Sequence, residues 1–291
     1  MNAQGFPKTL HRVLRNVGVL GHSKKRNILG LNPLVISLSY ISATLFLASY
    51  LRKQVHSYIQ CDSLTKQLLL EAVATFELCA SCYELIIVAD NWGVGAYALF
   101  LLLLTIYWST KWENSSACPY CPLEEAFVGQ RTWQSTLNII GAQLIAALLT
   151  FPYVQLLWAM ELVETHKDKA YEDCTADLQV DMVIGAIVEC ALTCACRVTS
   201  KILTEKSFKF SGVVDAAFST AMVVLAFNLS GGYFNPALAT SLKLGCEGNT
   251  VLEHILVYWI GSSTGALLSC VIFESNAVQN FLKRSKEAKD E

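Results

Sequence analysis

At 291 residues, 53% of them hydrophobic and 16% charged, the chain has a membrane-protein composition, with its charges between the apolar runs rather than inside them. A formal net charge of -2 gives no basis for a nucleic-acid partner. Of its eleven cysteines, Cys79, Cys82, Cys190, Cys194, Cys196 and Cys270 sit inside apolar segments as small hydrophobes, so a disulfide framework is not expected.

The chain opens with Lys8, Arg12, Arg15, Lys24, Lys25 and Arg26, followed by an apolar run that resembles a signal sequence. No small-residue cleavage site stands out, and Leu51-Arg52-Lys53 follows directly. The run itself, 32–51, is long enough to span but carries Ser37, Ser39, Ser42, Thr44 and Ser49. Six further candidate spans follow at 67–90, 93–112, 133–158, 181–203, 211–229 and 253–274. The loop 159–180 is dominated by Glu161, Glu164, Asp168, Glu172, Asp173 and Asp177, which assigns it to the non-cytoplasmic side. Arg197, Lys201, Lys206 and Lys209 assign the next loop to the cytoplasm, as Lys283, Arg284, Lys286 and Lys289 do the C-terminus. Counting back, 52–66 is also cytoplasmic. A spanning 32–51 would then leave the six basic residues outside, against the positive-inside rule. Three readings stay open: the segment spans, enters and returns, or lies along the core helices.

Two short stretches remain. Ser230-Gly231-Gly232-Tyr233-Phe234-Asn235-Pro236-Ala237-Leu238-Ala239-Thr240 is too short and Gly-rich to span, and reads as a chain that dips into the bilayer and leaves as a half-length helix. Asn235 is a good N-cap and Pro236 a favoured first helical residue, with the helix ending near Gly245. The other is Cys118-Pro119-Tyr120-Cys121-Pro122, where the helix starts at Pro119 or at Pro122. A start at Pro122 would put Glu124 and Glu125 in the first turn, against a cation barrier. Cys118-x-x-Cys121 also has the spacing of a redox or zinc motif, but no second pair matches it and a membrane midplane is a poor place for either chemistry.

The two stretches belong to a repeat. Glu71-x-x-x-Thr75 recurs as Glu189-x-x-x-Thr193 at an offset of 118, and Cys118-Pro119 as Asn235-Pro236 at an offset of 117. Three spans separate equivalent positions, an odd number, so the halves are inverted relative to each other. Both half-helix starts then fall near the midplane. Each start carries roughly half a positive charge, so two such starts, if aimed at one point, would oppose cations and protons but not neutral molecules.

These residues resemble the aquaporin family, in particular its unorthodox branch of superaquaporins. Asn235-Pro236-Ala237 matches the second signature motif, and Cys118-Pro119-Tyr120 is a divergent first one. The paired Glu/Thr positions match the first and fourth helices, Ala142-Gln143 the third, and Gly261-Ser262-Ser263-Thr264-Gly265 the sixth. Phe76-Glu77-Leu78-Cys79, Tyr83-Glu84-Leu85 and Tyr258-Trp259 are more like the unorthodox branch. The resemblance implies an all-α membrane protein, an aquaporin-like inverted repeat of six transmembrane helices and two re-entrant half-helices, with an extra N-terminal hydrophobic helix. The implied domains are 1–66, the basic N-terminus and extra segment; 67–274, the channel domain, with repeats at 67–158 and 181–274; and 275–291, a cytoplasmic tail.

It further implies a channel in the lipid bilayer for water and small neutral solutes such as glycerol or hydrogen peroxide, a homotetramer, and an intracellular membrane such as the endoplasmic reticulum, or the plasma membrane. Leu238 stands where ordinary members have an arginine, and with Gly232 and Val223 it should form a wide, apolar mouth. Cys118 offers a weak S–H donor in place of an amide. Glu71, Glu189 and their Thr75 and Thr193 partners should hold the re-entrant loops, with Gln143 serving the second loop. Glu77 is intramembrane without an identified partner, and Asp215 sits near the cytoplasmic interface. No cofactor, metal cluster or nucleophile–base pair is evident, which argues against an enzyme. The alternatives are an aquaporin-fold scaffold or adhesion protein with a poor pore, and a heptahelical receptor.

Overall fold

The structure is a computed structural model and describes residues 32–290. The six basic residues of the N-terminus therefore lie outside the described residues. Helix α1 (Pro33–Tyr58) is capped by the Asn32 side chain, which accepts from the Leu34 N–H, and starts on a proline. Its hydroxyls do not interrupt it. Those of Ser39, Ser42 and Thr44 donate to the carbonyls of Val35, Leu38 and Tyr40, four residues back, at 2.7, 2.7 and 3.0 Å.

The next helical stretch, Leu64–Lys111, has 48 residues and departs from helical geometry at Gly93, where φ is 82°. Run straight, it would be about 72 Å long. Instead it folds back, because the indole N–H of Trp112 donates to Glu77 at 2.7 Å across 35 residues. The stretch is thus two helices, α2 (64–92) and α3 (94–111), joined at a left-handed position that glycine tolerates. Then come the short α4 (Tyr120–Phe127), α5 (Trp133–Trp158), α6 (Met182–Lys206), α7 (Ser211–Ala226), the short α8 (Pro236–Lys243), α9 (Val251–Phe273) and α10 (Asn276–Asp290). Helix α7 is shorter than the 211–229 expected, because residues 227–230 already turn toward the re-entrant loop.

Among the described residues, five helical stretches are long and apolar enough to cross a membrane, the α2–α3 hairpin counting as one, and α7 is a shorter apolar helix. Large apolar side chains such as Phe46, Leu99, Leu137, Leu149, Ile187 and Leu225 point outward, while Glu71, Glu77, Gln143 and Glu189 are buried. That distribution suits a bilayer, where polar groups retreat to the bundle interior. Helix α2 packs on α1 and α5, α3 on α7, and α6 on α7 and α9. The α6–α9 approach depends on glycine: a Cβ on Gly261 would lie 2.8 Å from the Ala186 carbonyl oxygen, and one on Gly265 2.1 Å from that of Cys190.

The N-terminal segment is one continuous helix, longer than the 32–51 run, and does not enter and return. It runs antiparallel to α2 after a short link, with Tyr40 Oη donating to the Leu157 carbonyl at 3.2 Å and Thr44 meeting Tyr153 at 3.1 Å. Near its other end Arg52 donates to both oxygens of Glu77, at 2.6 and 3.3 Å. Glu77, without a partner in sequence, is therefore held by a guanidinium and an indole, and is fully buried.

One expectation is corrected: Cys174 and Cys246 form a disulfide, with Cα atoms 4.9 Å apart. Both lie in loops rather than apolar helices, one in 159–180 and one just past α8. Sequence position alone did not pair them.

Candidate pore

The second half-helix begins where Asn235 and Pro236 indicated. The Asn235 Oδ1 accepts from the N–H groups of Ala237 and Leu238 at 3.0 and 3.3 Å, satisfying two donors at the mouth of α8. Its Nδ2 donates to the carbonyl of Ala117 at 2.8 Å. That one bond brings the start of α8 against the start of α4. An amide nitrogen carries two hydrogens, so one remains for a molecule passing between them.

The first half-helix begins at Tyr120 with Pro119 at its N-cap in helical geometry, and the Cys121 N–H donates to the Cys118 carbonyl at 3.1 Å. Pro122 falls within the first turn, where its missing N–H leaves no bond unmade. No side chain caps α4. Glu124 is neutralised by Arg197, which donates to both its oxygens at 2.9 and 2.6 Å, with Lys201 at 3.4 Å. Glu125 pairs with Arg131 at 2.5 Å.

The repeat is visible in the supporting bonds. Glu71 accepts from the backbone N–H of Ser116 and Ala117, both at 2.9 Å. Glu189 accepts from those of Tyr233 and Phe234, at 3.2 and 2.8 Å, and from the Ser230 hydroxyl at 2.7 Å. The residue before each motif has a positive φ, 52° at Ala117 and 46° at Phe234. Left-handed backbone at non-glycine residues costs energy, and the two buried carboxylates supply the compensating bonds. Thr75 donates to the Glu71 carbonyl at 2.8 Å, whereas the buried hydroxyl of Thr193 finds no partner among the described residues.

Gln143 requires a correction. Its Nε2 donates to Glu71 at 2.8 Å and to Ser116 Oγ at 3.2 Å, so it serves the first loop and not the second. Helix α5 packs on α2 of the same repeat, which turns its inward amide toward Glu71. The second loop is served instead by Tyr258 of α9, whose hydroxyl donates to the Ser230 carbonyl at 2.8 Å. The half-helices are tied to the bundle further out: Tyr83 donates to the Ser241 carbonyl, Ser241 to Ala147 at 2.7 Å, and Thr136 to Pro122 at 3.2 Å. Asp215 accepts from Ser200 at 3.1 Å.

Leu238 and Gly232 line a cavity of about 230 Å³ at the mouth of the second loop, together with Tyr97, Asp90, Asp177 and Phe227 among others. Val223 is not among the lining residues; its carbonyl oxygen would lie 2.7 Å from a Cβ on Gly232, so it closes the space behind the glycine. The mouth is therefore less apolar than Leu238, Gly232 and Val223 implied. Part of the extra polarity, Asp177 and Gln179, comes from the loop 159–180, folded over the mouth and fastened there. Lys243 bonds Asp177 at 2.8 Å and the Thr175 carbonyl at 2.9 Å, Tyr233 donates to Asp177 at 2.5 Å, and the Cys174–Cys246 disulfide completes the clasp.

No protein-family model matches the sequence. Among curated proteins, aquaporin-11 of Milnesium tardigradum is 27% identical over 273 residues, covering 91% of this chain and 95% of its own length. The chain is similar to aquaporins over most of its length. Mouse aquaporin-12 is 27% identical over 218 residues, covering 72% of this chain and 75% of its own, and human aquaporin-11 is 28% identical over 210, covering 70% and 76%. The aquaglyceroporin structure from Plasmodium falciparum superposes with a TM-score of 0.57 at 13% identity, covering 76% of this chain and 99% of that one. The aquaporin fold thus accounts for the two half-helices and the inverted halves. The apolar helices and the aquaporin relatives support an integral membrane protein with the fold of a channel.

Proposed function

We propose that the chain is a channel passing water and small neutral solutes such as glycerol or hydrogen peroxide between the starts of α4 and α8, as a homotetramer in an intracellular membrane such as the endoplasmic reticulum. The observation that carries this reading is the Asn235 Nδ2 bond to the Ala117 carbonyl, 2.8 Å long, which brings together two helix N-termini, both unfavourable to cations. Leu238 favours solutes larger than water, since no guanidinium narrows the mouth. The polar groups of Tyr97, Asp177 and Asn228 alongside Leu238 and Phe227 give that mouth a mixed polar and apolar lining, which suits a polyol. The Cys174–Cys246 disulfide supports an oxidising compartment on that side, as in the lumen of the secretory system.

The test is osmotic swelling of proteoliposomes made from purified protein. Shrinkage in impermeant osmolyte reports water, and reswelling in glycerol reports the solute. Both rates should exceed those of protein-free vesicles, and Leu238→Arg should depress glycerol flux more than water flux. Rates equal to the lipid control for both would favour the scaffold reading.

A further inference from the structure

The start of α4 carries a feature that conduction alone does not require, a second cysteine one turn from the first motif. Cys118 and Cys121 are both free thiols, Cys118 buried and Cys121 half-buried. The backbone bond from the Cys121 N–H to the Cys118 carbonyl closes a turn across them. A turn of that kind brings its end Cα atoms within about 7 Å, the upper limit that a disulfide tolerates. Both thiols pack beside Tyr120 against Ala266 of α9. The sequence raised two objections to a redox or zinc reading, the lack of a second pair and the midplane position, and the second is met for thiols because a small neutral oxidant can reach them along the conduction path. A disulfide within one turn needs neither a second pair nor a charged group.

We infer that Cys118 and Cys121 form a reversible dithiol–disulfide switch in the pore, oxidised by hydroperoxides that enter it. This rests on the channel reading, since the conduction path is the route by which a small neutral oxidant reaches thiols inside the bundle. The less buried Cys121 sulfur attacks one oxygen of hydrogen peroxide; the O–O bond breaks, the thiol proton leaves with the other oxygen as water, and Cys121 becomes a sulfenic acid. The Cys118 sulfur then attacks the Cys121 sulfur. The S–S bond forms, the S–O bond breaks, and the hydroxyl departs with the Cys118 proton as a second water. One peroxide is reduced to two waters while two thiols are oxidised to one disulfide, and a thiol reductant reverses it by exchange.

The consequence follows from donor counting. Oxidation removes both S–H groups, and the disulfide donates nothing, so a permeant loses its side-chain donor on the α4 side and keeps only the uncapped backbone N–H groups there. The turn carrying the bond also continues into Ala117, the carbonyl that Asn235 holds.

The experiment uses full-length protein in proteoliposomes, reduced first with dithiothreitol under conditions that leave Cys174–Cys246 intact by mass spectrometry. Water flux is read before hydrogen peroxide, after it, and after re-reduction, and the peptide carrying residues 118–121 is analysed at each stage with free thiols alkylated. Peroxide should leave that peptide unalkylated and two hydrogens lighter, slow the flux by about three- to tenfold, the range for one lost hydrogen bond, and be undone by dithiothreitol. The Cys121→Ser protein should show the same flux with and without peroxide. Cysteines that stay alkylatable after peroxide, a flux that does not change when the disulfide forms, or an equal slowing of Cys121→Ser would each overturn the switch. Failure of the channel reading is seen separately, as absent flux in the reduced protein. In that case peroxide on detergent-solubilised protein still reports on the pair, and an unoxidised peptide there overturns it.

Discussion

The two repeats solve one problem with different materials. Each must hold an irregular, left-handed loop inside a membrane, and each does so with a glutamate at a matching position, Glu71 or Glu189. Around that shared device they diverge. The first repeat is braced from within the bilayer, by α1 lying in the α2–α5 groove and by the Arg52–Glu77–Trp112 cluster. The second is braced at the surface, by the disulfide and the Lys243–Asp177 pair. The matching groove beside α6 and α9 is filled by no helix of the described chain: Ala186, Ile187, Cys190, Cys194 and Ile260 line an open apolar hollow of about 540 Å³. Duplication kept the hydrogen bonds that shape the pore and left the outer supports free to differ.

The sharpest way to break this comparison is to strip the first repeat of its internal brace. Arg52→Met leaves Glu77 fully buried beside a single indole, and should cost about 3–5 kcal/mol of stability. Thermal unfolding in detergent would measure it, and Arg52→Met/Glu77→Met should recover most of the loss. If the single variant is as stable as the parent, α1 is an ornament and not a support. Next come Glu71→Ala and Glu189→Ala, each stranding two buried backbone N–H groups at about 1–3 kcal/mol apiece. Similar destabilisation would sharpen the view that the carboxylates are equivalent, whereas a harmless substitution at either would break it.

Cys174→Ser tests the second repeat's surface clasp. An expected loss of about 2–4 kcal/mol should be accompanied by faster proteolysis within 159–180, read by limited digestion. The smallest effect is at the motifs themselves. Asn235→Ala removes a helix cap and the bond to Ala117, for about 1–2 kcal/mol, while Cys118 contributes no cap to lose. Cys118→Ala should therefore be nearly neutral for unfolding temperature, and a drop as large as that of Asn235→Ala would mean the two motifs are less unequal than they look.

The pore-shaping part of this architecture could be read from residues because it rests on local chemistry. Asn-Pro at a helix start, and a carboxylate recurring at a fixed offset inside apolar runs, each has few physical explanations. What escaped the reading depends on which helices lie side by side. Gln143 points at Glu71 because α5 packs on α2, and no spacing in the chain encodes that neighbour. Arg52 finds Glu77 only once α1 runs antiparallel to α2, and the disulfide joins two loops 72 residues apart. The polar side of the mouth lies outside the motifs for the same reason, since Asp177 and Gln179 arrive from a loop that the motif positions do not include.

The buried Arg52–Glu77 pair also bears on how the protein enters its membrane. On insertion scales an arginine costs about 2.5–3.5 kcal/mol at the centre of an apolar helix and less toward an end, where Arg52 lies, and a buried acidic residue carries a comparable cost. Entering one at a time, α1 and α2 would each meet lipid with an exposed charge. Entering as a hairpin, across a link short enough to keep them adjacent, they meet it with the charges already matched. The pair thus favours joint membrane insertion of α1 and the first pore helix, so that the early steps of assembly begin with the brace and the first carboxylate support already side by side.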